Sequence, residues 1–173
     1  MVVRVRDDRQ APHTLSLMYG WVDRVSKCKD QTDKVPEVWR ICGYVALLLE
    51  LGIQHSSKKL NTYLCAGPIL RDPPVSPDAI NDYLATLLRH IKSLPQEEKE
   101  TNLFLGWAVQ TAHTYKTKLD GWLPMSKSDD FPAMASKWFF QGAQMAWECV
   151  EFDRMRAMAE MEMEEQEKRN GKE

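Results

Sequence analysis

The chain lacks most of the signatures that announce chemistry. No GxSxG, GxxxxGK[ST] or GxGxxG occurs in its 173 residues, which excludes a nucleophile elbow and the common nucleotide loops by motif. No Glu-x-x-His pair is present for a di-iron site. His13, His55, His90 and His113 stand without a Cys, His or acid at ligand spacing, so zinc has no support either. The cysteines at 28, 42, 65 and 149 form no CxxC and read as reduced, core-type thiols rather than a disulfide framework. The first residues, MVVRVRDDRQ, lack the apolar segment of a signal peptide, and no 18-residue apolar run exists. The expectation is a cytoplasmic protein in a reducing compartment, without membrane contact. No cofactor and no metal is expected.

A strong charge of one sign is also missing. The formal net charge is −2. It conceals an uneven spread: Glu148 to Glu173 carries nine acids against five bases, a net of −4 that leaves the rest at +2. Neither value resembles a dedicated DNA-binding domain. A second strand pattern is absent too. Val3 and Val5 alternate with Arg4 and Arg6, a period of two with nothing to pair against, so residues 1–12 are expected to form a flexible arm.

What the chain does have is helical periodicity. Val38 to Ile53 (VWRICGYVALLLELGI) is apolar nearly all round, which requires a helix, about 36–52, enclosed on several sides. Asp33 is expected to cap it, Pro36 to lie near its first turn, and Gly52 to stop it. Leu15, Met18, Val22 and Val25 give a first helix from Thr14 to about Cys28. A short third helix is expected from Lys58 to Cys65, ended by Gly67-Pro68. Ser76, Pro77 and Asp78 open a fourth, with Ile80, Tyr83, Leu84, Leu87, Leu88 and Ile91 on one face before Pro95 stops it. A fifth runs from QEEKE to Asp120-Gly121, with Leu103, Phe104, Trp107, Ala108, Thr111 and Tyr115 inward. The last begins near Pro132 and reaches Lys168, with Gly142 on its inner stripe allowing a close neighbour. The fold class is therefore all-α: a single-domain bundle of about six helices around a buried central one, with a long C-terminal helix. Residues 13–155 form the bundle, and 156–173 a projecting acidic Met-rich tail.

Candidate functional residues lie outside the core stripes. Trp122, Leu123 and Met125 sit in a loop, and Met155, Met158 and Met161 line one edge of the last helix; aromatic and Met side chains favour interface centres. The bland readings are a loop anchor and a good helix former. Lys58, Lys59, Arg71, Arg89 and Lys92, joined by Lys116 and Lys118 if their helices pack together, are candidates for a phosphate-binding face; the alternative is a solvated surface. Asp129 and Asp130, like Glu97, Glu98 and Glu100, suit helix starts better than a metal. The leading expectation is a non-enzymatic helical subunit or adaptor with a protein partner or a second copy. A nucleoprotein subunit contacting an RNA or DNA backbone is the alternative, and an enzyme with a motif-free helical pocket the third.

Overall fold

The computed structural model describes residues 13–54, 67–101, 103–119 and 124–172. Among these the chain is all-α, with seven helices and no strand. They are α1 (His13–Lys27), α2 (Gln31–Gln54), α3 (Pro68–Arg71), α4 (Pro77–Ser93), α5 (Gln96–Thr101), α6 (Leu103–Leu119) and α7 (Phe131–Asn170). The expected arm 1–12, the helix 58–65, Asp120-Gly121, and the side chains of Leu103 and Phe104 lie outside the described residues. No described helix is long and apolar enough to cross a membrane.

The apolar run becomes α2, and every residue from Ile41 to Gly52 is buried. Four helices cover it: α7 most extensively, then α6, α4 and α1. Each brings the stripe its sequence carries. Leu15, Met18, Trp21, Val22 and Val25 come from α1, and Ile80, Leu84, Leu87 and Ile91 from α4. Leu105, Trp107, Ala108, Ala112 and Tyr115 come from α6. From α7 come Ala135, Phe139, Ala143, Ala146 and Val150.

Two glycines let α2 and α7 touch backbone to backbone. A Cβ on Gly43 would overlap the carbonyl of Phe139, and one on Gly142 would overlap the carbonyl of Arg40. Each glycine thus faces the main chain of the other helix, and neither neighbour is a side chain that can swing aside. Trp39 fixes the start of α7: its indole donates to the Pro124 carbonyl at 3.0 Å and its ring meets Phe131 edge-on at 5.8 Å.

Several boundaries differ from expectation for local reasons. Helix α2 starts earlier, because the Asp30 side chain accepts the Thr32 N–H at 2.8 Å; Asp33 lies in the first turn and Pro36 inside the helix. Gly52 does not stop α2, which continues to Gln54 with Gly52 buried in it. Gly67-Pro68 opens a helix: Gly67 is the cap and Pro68 the first residue of α3, which inserts Ile69 into the core. The expected fifth helix corresponds to α5 and α6, on either side of residue 102, which lies outside the described residues. At the head of α7, Asp130 occupies the cap position without a side-chain cap bond. The start of α4 is as read, with Ser76 Oγ accepting the Ala79 N–H at 3.1 Å.

Gly142→Ala is expected to lower stability by about 3 kcal/mol, since a methyl group must separate two packed backbones. Gly20 on α1 has open space where its Cβ would be, so Gly20→Ala should stabilise by about 0.5–1 kcal/mol. Urea unfolding of both variants checks the pair, and equal tolerance would contradict the close crossing.

Candidate interaction surface

Asp153 is where α7 stops being part of the core. Its side chain is 2% exposed and receives three donors from the start of α1: the His13 N–H at 2.9 Å, the Thr14 N–H at 2.9 Å and the Thr14 hydroxyl at 2.6 Å. A carboxylate from α7 thus caps α1, supplying acceptors that the first turn of a helix cannot find within itself. Tyr44 of α2 adds a bond from its hydroxyl to the Thr14 carbonyl at 2.6 Å, which ties the three helices together.

Beyond Asp153, α7 continues to Asn170 with every side chain exposed except the half-buried Arg154 and Ala157. Phe152 is 53% exposed, Met155 65%, Met158 39%, Met161 43% and Met163 62%. At about 100° per residue, Phe152, Met155, Ala159 and Met163 fall within an arc of roughly 80°. Cys149, Val150 and Asp153 mark the side facing the bundle, so Met155 and Met158 point away from it. The His13 ring rests edge-on against Phe152 at 5.3 Å, which places the stripe's beginning at the bundle's rim. The shallow notch at Met158, Met161, Glu162 and Glu165 is formed by this one helix alone.

The predicted residues separate into distinct places. Met155, Met158 and Met161 are exposed on α7, but successive steps of three wind around the helix, and the straighter stripe takes Phe152 and Met163 instead. Met125 is 65% exposed beside Pro124, near Trp39 and the head of α7. Met155 lies 24 residues after Phe131, about 36 Å along the helix, so the two exposed patches are separate. Trp122, Leu123, Lys58 and Lys59 lie outside the described residues. Arg89 and Lys92 are exposed at the end of α4, where Lys99 of α5 reaches the Lys92 carbonyl at 3.4 Å. Lys116 and Lys118 are exposed at the far end of α6, where Lys118 lies close enough to Asp23 to act on its charge. Arg71 lies near the buried end of α2. Among the described residues, the predicted cations sit on three elements, α3, α4 and α6.

Several groups suited to chemistry help to hold the fold. Burial pushes the Cys42 thiol up to about 12, and its sulfur lies 3.9 Å from the Tyr115 hydroxyl. A thiol held protonated is a poor nucleophile. Burial likewise raises Cys149, Tyr44 and Tyr115. A groove between α1 and α2, lined by Trp21, Arg24, Cys28, Asp33, Lys34 and Glu37, has two carboxylates at its wall, Asp33 and Glu37. Glu37 already accepts from the Trp21 indole at 2.5 Å and from Arg40 at 2.8 Å. Among the described residues, no group of three His, Cys, Asp or Glu side chains is placed to hold a metal ion.

Glu50 departs from this pairing. It is 3% exposed near the end of α2, one oxygen lies 3.5 Å from the Ile69 N–H, and the other has no partner among the described residues. Gly67 leaves the room it needs, because a Cβ there would overlap the carboxylate. Burial drives its pKa up to about 7, against weaker opposing pulls from the Ile69 N–H and the Arg71 charge.

No protein-family model, no curated protein and no solved structure matches the chain.

Two outcomes follow from these geometries. Asp153→Ala should cost about 3 kcal/mol in thermal or urea unfolding, because it strands buried donors of α1; a loss under about 0.5 kcal/mol would show that water replaces the cap. Glu50 should make stability fall as pH rises from about 4.5 to about 7, where the unfolded chain ionises and the folded one keeps its proton, then level off. The fall amounts to about 3 kcal/mol. Glu50→Gln should remove it, so stability differences between the two chains across that range check the assignment.

Proposed function

We propose that this chain is a non-enzymatic helical subunit or adaptor that works within a larger assembly and holds another protein on the distal half of α7. The observation that carries the reading is the exposure of Phe152, Met155, Met158, Met161 and Met163 within twelve residues of one helix. Burying these side chains against a partner removes apolar surface from water, and the unbranched Met side chains adapt to the surface they meet. Met125 provides a second and separate contact near the head of α7. The occupation of Cys42, Tyr115, Glu37 and Asp153 in structural bonds favours a binding role over catalysis. Free thiols at Cys28, Cys42 and Cys149 suit a reducing, cytoplasmic setting.

Size exclusion with light scattering, on the pure chain and on cell extract, tests the proposal. The expected result is a larger, stable species in extract that Met155→Glu with Met158→Glu abolishes. The same double variant should unfold within about 0.5 kcal/mol of the parent, since both positions are exposed and outside the core. A monomer without a partner in both preparations would contradict the reading.

A further inference from the structure

We infer that the occupant of the distal α7 face is an amphipathic helix of a partner protein, its apolar stripe bordered by Lys and Arg. The inference rests on the subunit reading above and adds the partner's chemistry.

The shape of the face comes first. Helix α7 is unbroken from Phe152 to Asn170, so Phe152, Met155, Ala159 and Met163 form a nearly straight ridge about 17 Å long. These residues stand three, seven and eleven positions along, close to the seam spacing by which one helix receives another. Ala159 in the middle lets a neighbouring side chain settle between Met155 and Met163. A single helix laid alongside covers such a ridge and leaves its borders at the edge of the contact.

The borders carry the charge argument. From Ala157 to Glu167 there are five glutamates and no basic residue, all five exposed. Glu160 and Glu167 flank the ridge on one side, and Glu162 and Glu165 on the other, as the same 100° step places them. The arginines just before are engaged within the helix: Arg154 contacts Glu151 at 3.0 Å, and Arg156 reaches toward Asp153 at 3.7 Å. A second copy would bring two such acidic borders together, offset only by these engaged arginines and by Lys168 and Arg169 in the last turn, beyond the end of the ridge. Lys and Arg flanking the partner's stripe meet both rails at once, steering the encounter and setting specificity while the apolar ridge supplies most of the affinity.

Two synthetic helical peptides of about 18 residues, each about 27 Å long, make the test. Both carry Leu at the seam; one has Lys at the flanking positions and its twin has Glu. The full chain should bind the Lys peptide and not the Glu twin, measured by fluorescence anisotropy. Binding should weaken about tenfold or more when ionic strength rises from about 0.01 M to about 1 M, where the screening length falls to about 3 Å. Met155→Glu should abolish it, which distinguishes a seated helix from loose charge attraction. Glu160→Lys with Glu162→Lys should reverse the preference toward the Glu twin. The inference is overturned if the Lys peptide fails to bind, if Met155→Glu leaves its binding unchanged, or if the twin binds equally. It is also overturned if the chain alone forms a dimer that Met155→Glu dissociates, because a second copy then covers the ridge. A cellular partner lost on Met155→Glu, found together with failure of the Lys peptide, would leave the subunit reading standing and remove only this inference.

Discussion

The backbone contact between α2 and α7 at Gly43 and Gly142 is the constraint on which the other placements depend. Two helices ordinarily keep about 8–10 Å between axes because side chains stand between them. Here each glycine removes the side chain that would intervene, and the carbonyls of Arg40 and Phe139 occupy the space. The central helix is thereby pressed against the longest one, and the remaining faces of α2 are left to α1, α4 and α6. Trp39 then secures the head of α7 through Pro124 and Phe131, and Asp153 secures its midpoint through the first turn of α1. With head, crossing and midpoint all held, the direction in which the exposed half leaves the bundle follows.

Much of this architecture is legible in the residues. The unbroken apolarity of Val38–Ile53 requires enclosure from several sides, and the four expected helices provide it. Gly142 on a stripe of small residues signals a close neighbour, although the facing glycine at 43 is hidden inside a run that reads simply as core. Local capping is readable where the partners are adjacent, as at Ser76 and Ala79. It is unreadable where they are remote: the cap of α1 comes from Asp153, 139 residues beyond Thr14. In the sequence, Asp153 is one more acid in an acidic tail. Gly52 misleads because burial on all sides supports the helix through a residue that would otherwise end it.

The candidate surface was half legible for a related reason. The Met residues at 155, 158 and 161 are conspicuous in the sequence, yet a step of three drifts around the helix. Which of them share a face with Phe152 and Met163 depends on where the bundle ends, and that is set by Asp153 and the His13 contact.

The division of α7 into a half that builds the core and a half that presents a surface is the central claim, and amide hydrogen exchange along α7 in the isolated chain tests it most directly. The account predicts strong protection from about Ala135 to Asp153, where small and apolar residues pack on α2, followed by a steep loss of protection from about Met158 onward. Protection continuing undiminished through residues 158–170 in the isolated monomer would contradict it, because that half would already be buried.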